Sequence, residues 1–104
     1  MTPNRLPRDR DIAQALRRLF PHLEDRDERA IVDRALGSRG LRTASPEAAA
    51  WLSAVAYARH SFTDYDQMLS DGYDQESARH FTLEALNDVL RGWGARRVVG
   101  ANED

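Results

Sequence analysis

His60 and Asp66 stand six residues apart in a stretch, Arg59 to Trp93, that also carries Thr63, Tyr65 and Arg79. Histidine exchanges a proton near neutral pH, and a carboxylate beside it can fix its tautomer and orientation. With Arg59 and Arg79 offering planar guanidinium forks to an oxyanion, the set has the parts of a phosphodiester-type hydrolase centred on His60 and Asp66. No distinctive catalytic motif accompanies them. The same residues, Arg59, His60, Thr63, Tyr65, Asp66 and Arg79, make sense as a structural polar network in which Asp66 pairs with Arg59 or Arg79 and locks a helix corner. Structural ion pairs outnumber catalytic ones, so this second reading is preferred.

Metal chemistry is not expected, and no cofactor is implied. The acidic run Asp64, Asp66, Asp71, Asp74 fails as a calcium loop, because the third acidic position and the glycine would fall on Met68 and Leu69. His22, His60 and His80 lack the spacing of a zinc helix, and the absence of cysteine excludes thiolate ligands and disulfides.

Charge points to a different chemistry. All fifteen basic residues are arginine, for which biased codon usage is the plain explanation and bidentate anion contacts the functional one. Residues 1–18 carry five Arg against Asp9 and Asp11, net +3; residues 37–62 carry Arg39, Arg42 and Arg59 against Glu47, net +2; residues 63–90 set seven acids against Arg79, net −6. A basic arm and loop, through Arg5, Arg8, Arg10, Arg39 and Arg42, could contact the phosphate backbone of DNA or RNA, whereas the acidic region could not. A solvated arginine-rich surface is the bland alternative.

The elements that must position these residues are helical. At 104 residues the chain is expected to form one all-α compact domain of about five helices over residues 1–94, with 1–8 a flexible arm and 95–104 a mobile tail on which Val98 and Val99 could dock. Ile12, Ala13, Leu16, Leu19 and Phe20 recur at helical spacing over 9–20, with Asp9 as N-cap. A second helix over 26–36 follows Asp25 and Glu28, which have capping-box spacing, and stops at Gly37. After the loop GSRGLRTAS, Ser45 and Pro46 start a third helix over 46–60. Its projected stripe is Ala48, Leu52, Val55 and Ala56, and Arg59 falls in that stripe, where it needs a partner. Trp51 and Tyr57 leave the stripe on opposite sides and are the candidates for an interface with a second copy or another protein.

Thr63 and Asp66 suggest a short helix over 64–70 stopped by Gly72, and Asp74 caps a final helix over 75–91. The face of that helix reads Ala78, Phe81, Thr82, Ala85, Leu86, Val89, Leu90 and Trp93. No apolar run reaches the roughly 20 residues of a membrane span, and no signal peptide is recognised, so a cytoplasmic protein with no membrane association is expected.

The run from Ala54 to Trp93 resembles the family catalogued as domain of unknown function 2293, found in bacterial and fungal proteins. The resemblance rests on Arg59 and His60, then Thr63, Tyr65 and Asp66, Gly72, Ala78 and Arg79, and the closing Trp93, with the Gly37–Thr43 segment as a weaker match upstream. It covers roughly residues 37–93, leaves residues 1–25 outside, and implies no activity, because the family is uncharacterised. The function expected is therefore a small non-enzymatic binding or interaction module contacting nucleic acid through its arginines. The hydrolase centred on His60 and Asp66, or a self-associating protein module, is the alternative.

Overall fold

In a computed structural model that describes residues 7–101, the chain forms five α-helices and one 3₁₀ turn, with no strand among those residues. The helices are α1 (Pro7–Leu19), α2 (Asp25–Gly37), α3 (Pro46–Phe62), α4 (Tyr65–Ser70) and α5 (Gln75–Gly92), and the 3₁₀ turn Arg39–Leu41 lies in the loop after α2. The expected five-helix, all-α architecture is the one observed.

Local signals explain most helix ends. Ser45 accepts a hydrogen bond from the Ala48 amide at 3.1 Å, with Pro46 at the first helical position, and Asp74 accepts from the Ser77 amide at 2.7 Å. That bond, and then a second from the Ser77 side chain, holds the exposed Asp74 carboxyl below the usual aspartate range. Two expected caps are corrected. Helix α1 begins at Pro7, which puts Asp9 inside its first turn, and α2 begins at Asp25 after a Glu24 that makes no side-chain cap bond.

Helix α3 is the hub, packed against α1, α2 and α5. Ala49, Ala50, Ala54 and Ala58 are all fully buried, and these small side chains let the neighbouring helices approach closely. The expected α3 stripe is wrong in detail. Leu52 is 51% exposed, while Trp51 is 6% exposed and belongs to the core. A helix buried nearly all round has no single apolar stripe to find, so projection favours whichever large residues happen to align.

Trp51 stacks on Phe20 with centroids 5.8 Å apart, and Phe20 meets Trp93 edge-on at 5.6 Å. Tyr57 continues the cluster by stacking on Trp93 at 6.2 Å. Both aromatics proposed for an interface thus serve inside the molecule. The exposed ones are Phe62, Tyr73 and Phe81, and Phe81, expected on the buried face of α5, is 61% exposed. Of the expected α5 face, Ala78, Thr82, Leu86 and Leu90 are buried, and Asn87 joins them.

Tyr57 also donates its hydroxyl hydrogen to Asp27 at 2.6 Å, tying α3 to the first turn of α2, where Asp27 is buried. This bond, then burial, raises the Tyr57 phenol above its ordinary value of 10.0. The folded chain holds that proton more tightly than the unfolded chain, so the stability it contributes is complete below about pH 10 and drains away as pH rises through the folded value. Tyr57→Phe is expected to cost roughly 1–3 kcal/mol at neutral pH by stranding the Asp27 acceptor. It should also flatten the alkaline fall in the urea midpoint, and parallel midpoint curves for the two proteins between pH 8 and 11 would refute this assignment.

Asn87 of α5 holds the carboxy-terminal segment by its backbone. Asn87 donates to the Val99 carbonyl at 2.9 Å and accepts from the Val99 amide at 2.8 Å, and Val99 is 5% exposed. Of the two valines that could dock, Val99 is the buried one. Gly94, at φ +91°, makes the bend that begins this segment, and a Cβ there would lie 3.0 Å from the Pro21 ring. The His22 amide donates to the Trp93 carbonyl beside it at 2.9 Å, joining the turn after α1 to the end of α5.

Candidate functional site

The corner between α3 and α4 gathers five of the six residues expected there. Thr63 ends α3 in an extended conformation, and its hydroxyl donates back to the Arg59 carbonyl at 2.6 Å while accepting from the Tyr65 amide at 3.2 Å. That pair of bonds fixes the turn and drives Tyr65 inward, where it is 3% exposed. The Tyr65 ring then carries the Arg59 guanidinium carbon 5.6 Å from its centroid and the His60 ring edge-on at 5.5 Å.

His60 Nδ1 lies 2.6 Å from Asp66 Oδ1. The expected pairing of Asp66 with Arg59 or Arg79 is therefore corrected: the carboxylate meets the imidazole. Arg59 points instead into a cleft that Arg79 also lines, away from Asp66. The reason is local, since α4 starts only at Tyr65 and its first turn brings Asp66 back over His60 at the end of α3. The pair sits at the surface, with side chains 39% and 57% exposed. An imidazole–carboxylate pair of this geometry can relay a proton, but solvent on this scale screens it and leaves a reacting group undesolvated.

The nucleic-acid candidates divide. Arg5 lies outside the described residues. Arg8 turns back from α1 and donates from Nη1 to the Ala44 carbonyl at 2.9 Å and from Nη2 to the Leu41 carbonyl at 2.7 Å. Its guanidinium thereby clamps the end of the 3₁₀ turn to the loop that follows it, a role that spacing 33 and 36 residues apart leaves invisible in the sequence. Arg39 and Arg42 are exposed, and with Arg8, Leu36 and Ser38 they line a cleft of about 170 Å³ at the end of α2. Arg10 is exposed on α1.

Arg17, counted with the basic amino-terminal region, makes a two-pronged pair with Glu28, Nε to Oε1 and Nη2 to Oε2, both at 3.0 Å. The carboxylate raises the Arg17 guanidinium further above its ordinary value, and the pair joins α1 to α2. Part of the positive charge of residues 1–18 is thus neutralised locally.

Among the described residues no three His, Asp or Glu side chains converge to hold a metal ion, and no helix is long and apolar enough to cross a membrane. No curated protein and no solved structure matches the chain. A family model described as "Uncharacterized conserved protein (DUF2293)" does match, over residues 15–94. The match begins within α1, so the resemblance extends further toward the amino terminus than residues 37–93, and it takes in the whole aromatic cluster from Phe20 to Trp93. The chain belongs to this family of uncharacterised conserved proteins, domain of unknown function 2293.

Proposed function

We propose that this protein is a small non-enzymatic helical binding module that contacts the phosphate backbone of nucleic acid through the loop bearing Arg39 and Arg42. The observation that carries the reading is the Arg8 clamp, whose bonds to the Leu41 and Ala44 carbonyls hold both arginines beside one cleft. A loop fixed in this way presents its charges without losing as much side-chain and backbone freedom on binding as a loose one would. The uneven charge of the chain agrees: residues 63–90, net −6, would turn away from a polyanion and so orient the molecule on it. The reading sets the protein in the cytoplasm, where nucleic acid is accessible to it.

Two phosphate contacts predict a modest, strongly salt-dependent affinity. Arg39→Ala/Arg42→Ala is expected to weaken binding of a DNA or RNA duplex at least about tenfold at low salt and to reduce the salt slope by about 2, roughly one for each lost contact. Absence of any binding by the parent protein at low salt would sink the proposal.

The hydrolase reading draws on the 2.6 Å approach of His60 to Asp66. It is the weaker one because both groups are solvated and Arg59 and Arg79 face elsewhere. A self-associating module would use the exposed Tyr73 and Phe81, whose rings meet edge-on at 6.0 Å, rather than Trp51 and Tyr57.

A further inference from the structure

We propose that a second cleft, between α3, α5 and the carboxy-terminal segment, binds a small phosphate ester with an apolar or aromatic substituent. The cleft has a volume of about 340 Å³ and brings together Arg59, Arg79 and Arg97 with Trp51, Leu52 and Val55. The three arginines come from three different elements and are separated by up to 38 residues in the chain, 97 − 59. Three guanidinium groups around one cleft give it a positive field, which favours an oxyanion over a neutral ligand.

Two of the three guanidiniums are held by aromatic faces. The Arg97 guanidinium carbon lies 4.1 Å from the Trp51 ring centroid, and that of Arg59 lies 5.6 Å from Tyr65. Arg59 is also 8% exposed, so its charge is desolvated and its interactions are correspondingly strong. Each of the three arginines engages other groups of the chain as well, so a ligand must exchange with existing contacts rather than fill a vacancy.

Arginine forks match the oxygens of a phosphate, and three positive charges suit a dianionic ester better than a single carboxylate. The volume is near the lower end of the roughly 300–1,000 Å³ typical of small-molecule sites. The apolar wall supplies the rest of the specificity. Leu52 is the one α3 leucine and is 51% exposed at the cleft rim, where it offers apolar surface to a substituent. A neighbouring cleft of about 460 Å³ shares Trp51, Leu52 and Arg97 and continues along α3 toward Ser45, giving a substituent room to extend. This site is separate from the Arg39–Arg42 loop, and the two proposals stand or fall independently.

Calorimetric titration of the full chain with phenyl phosphate and with inorganic phosphate tests the site. Glu103 and Asp104 lie outside the described residues but follow Ala101 by two and three positions, a reach of roughly 7–10 Å. Their carboxylates are potential competitors, so the titration is repeated on E103Q/D104N. Phenyl phosphate is expected to bind in at least one of these backgrounds, several-fold more tightly than inorganic phosphate, and R79Q and R97A should each weaken it by roughly tenfold. Leu52→Glu, at a position exposed enough to tolerate the change, should abolish binding while the melting curve stays cooperative. R39A/R42A should leave it unchanged. No binding of phenyl phosphate in either background, or equal binding by the R79Q, R97A and Leu52→Glu proteins, would overturn the assignment.

Discussion

A Phe20→Ala variant is expected to melt roughly 15–30 °C below the parent, because deleting a fully buried phenyl ring costs about 3–5 kcal/mol and each kcal/mol moves Tm by about 4–8 °C in a domain of this size. Phe20 is 1% exposed and sits just beyond the end of α1, where its amide still reaches the Leu16 carbonyl at 2.7 Å. From that position one ring stacks on Trp51 of α3 and meets Trp93 at the end of α5. Three helices therefore share a single anchor, and the cavity left by its removal would be walled by indoles that are themselves held by other contacts. Trp93 is backed by Tyr57 and Phe62, and Trp51 by the Arg97 guanidinium. Collapse into the gap is consequently restricted, which places the cost toward the upper part of the range. Total stability for a chain of this length is about 5–15 kcal/mol, so the loss would leave a marginal fold. Phe20→Leu keeps much of the volume and should recover more than half of it. A Phe20→Ala Tm within about 5 °C of the parent would show that the aromatic cluster does not join the helices.

What the sequence discloses about this molecule follows the range of the interactions involved. The α3 and α5 caps at Ser45–Pro46 and Asp74, the stop at Gly72, and the number of helices were all legible, because each depends on residues a few positions apart. Thr63 is legible as a corner residue, although Asp64 takes the N-cap position of α4 and the Thr63 hydroxyl bridges the Arg59 carbonyl and the Tyr65 amide. The faces of α3 were not legible, because a helix enclosed by three others has no polar side to calibrate the projection. The Arg8 clamp, the Tyr57–Asp27 bond and the arrival of Arg97 over Trp51 were equally out of reach. Each joins residues 30 or more positions apart and leaves no periodic trace. The His60–Asp66 contact lies between these cases. Both residues were singled out, but their relative placement depended on where α4 begins, and helix starts are fixed by only one or two residues.

Asn87→Ala is expected to release the carboxy-terminal segment and to lower stability by about 2–3 kcal/mol, an amount limited by hydration of the freed backbone. Asn87 is 8% exposed on α5 and its amide group serves both polar groups of Val99 at once, as a neighbouring strand would. If Val99 stayed in place after the substitution, its amide and carbonyl would each be buried without a partner, at about 1–3 kcal/mol apiece. Undocking avoids that penalty by returning both groups to water. The loss is then what docking contributes: two hydrogen bonds at about 1 kcal/mol each and the burial of one valine, offset in part by the entropy of ordering the segment, in all roughly 2–3 kcal/mol. Asn87→Asp should do nearly as much damage, since a carboxylate can accept from the Val99 amide but cannot donate to the Val99 carbonyl. The distinguishing measurement is hydrogen exchange. In the parent the Val99 amide should exchange slowly, whereas in Asn87→Ala it should exchange at close to the rate of an unstructured peptide while the α3 amides remain protected. Arg97, two residues before Val99, would lose its fixed position over Trp51, so the same variant should impair phenyl phosphate binding without altering any arginine. Slow exchange at Val99 in Asn87→Ala would mean that the segment is held by something other than this side chain, and that Arg97 reaches Trp51 without it.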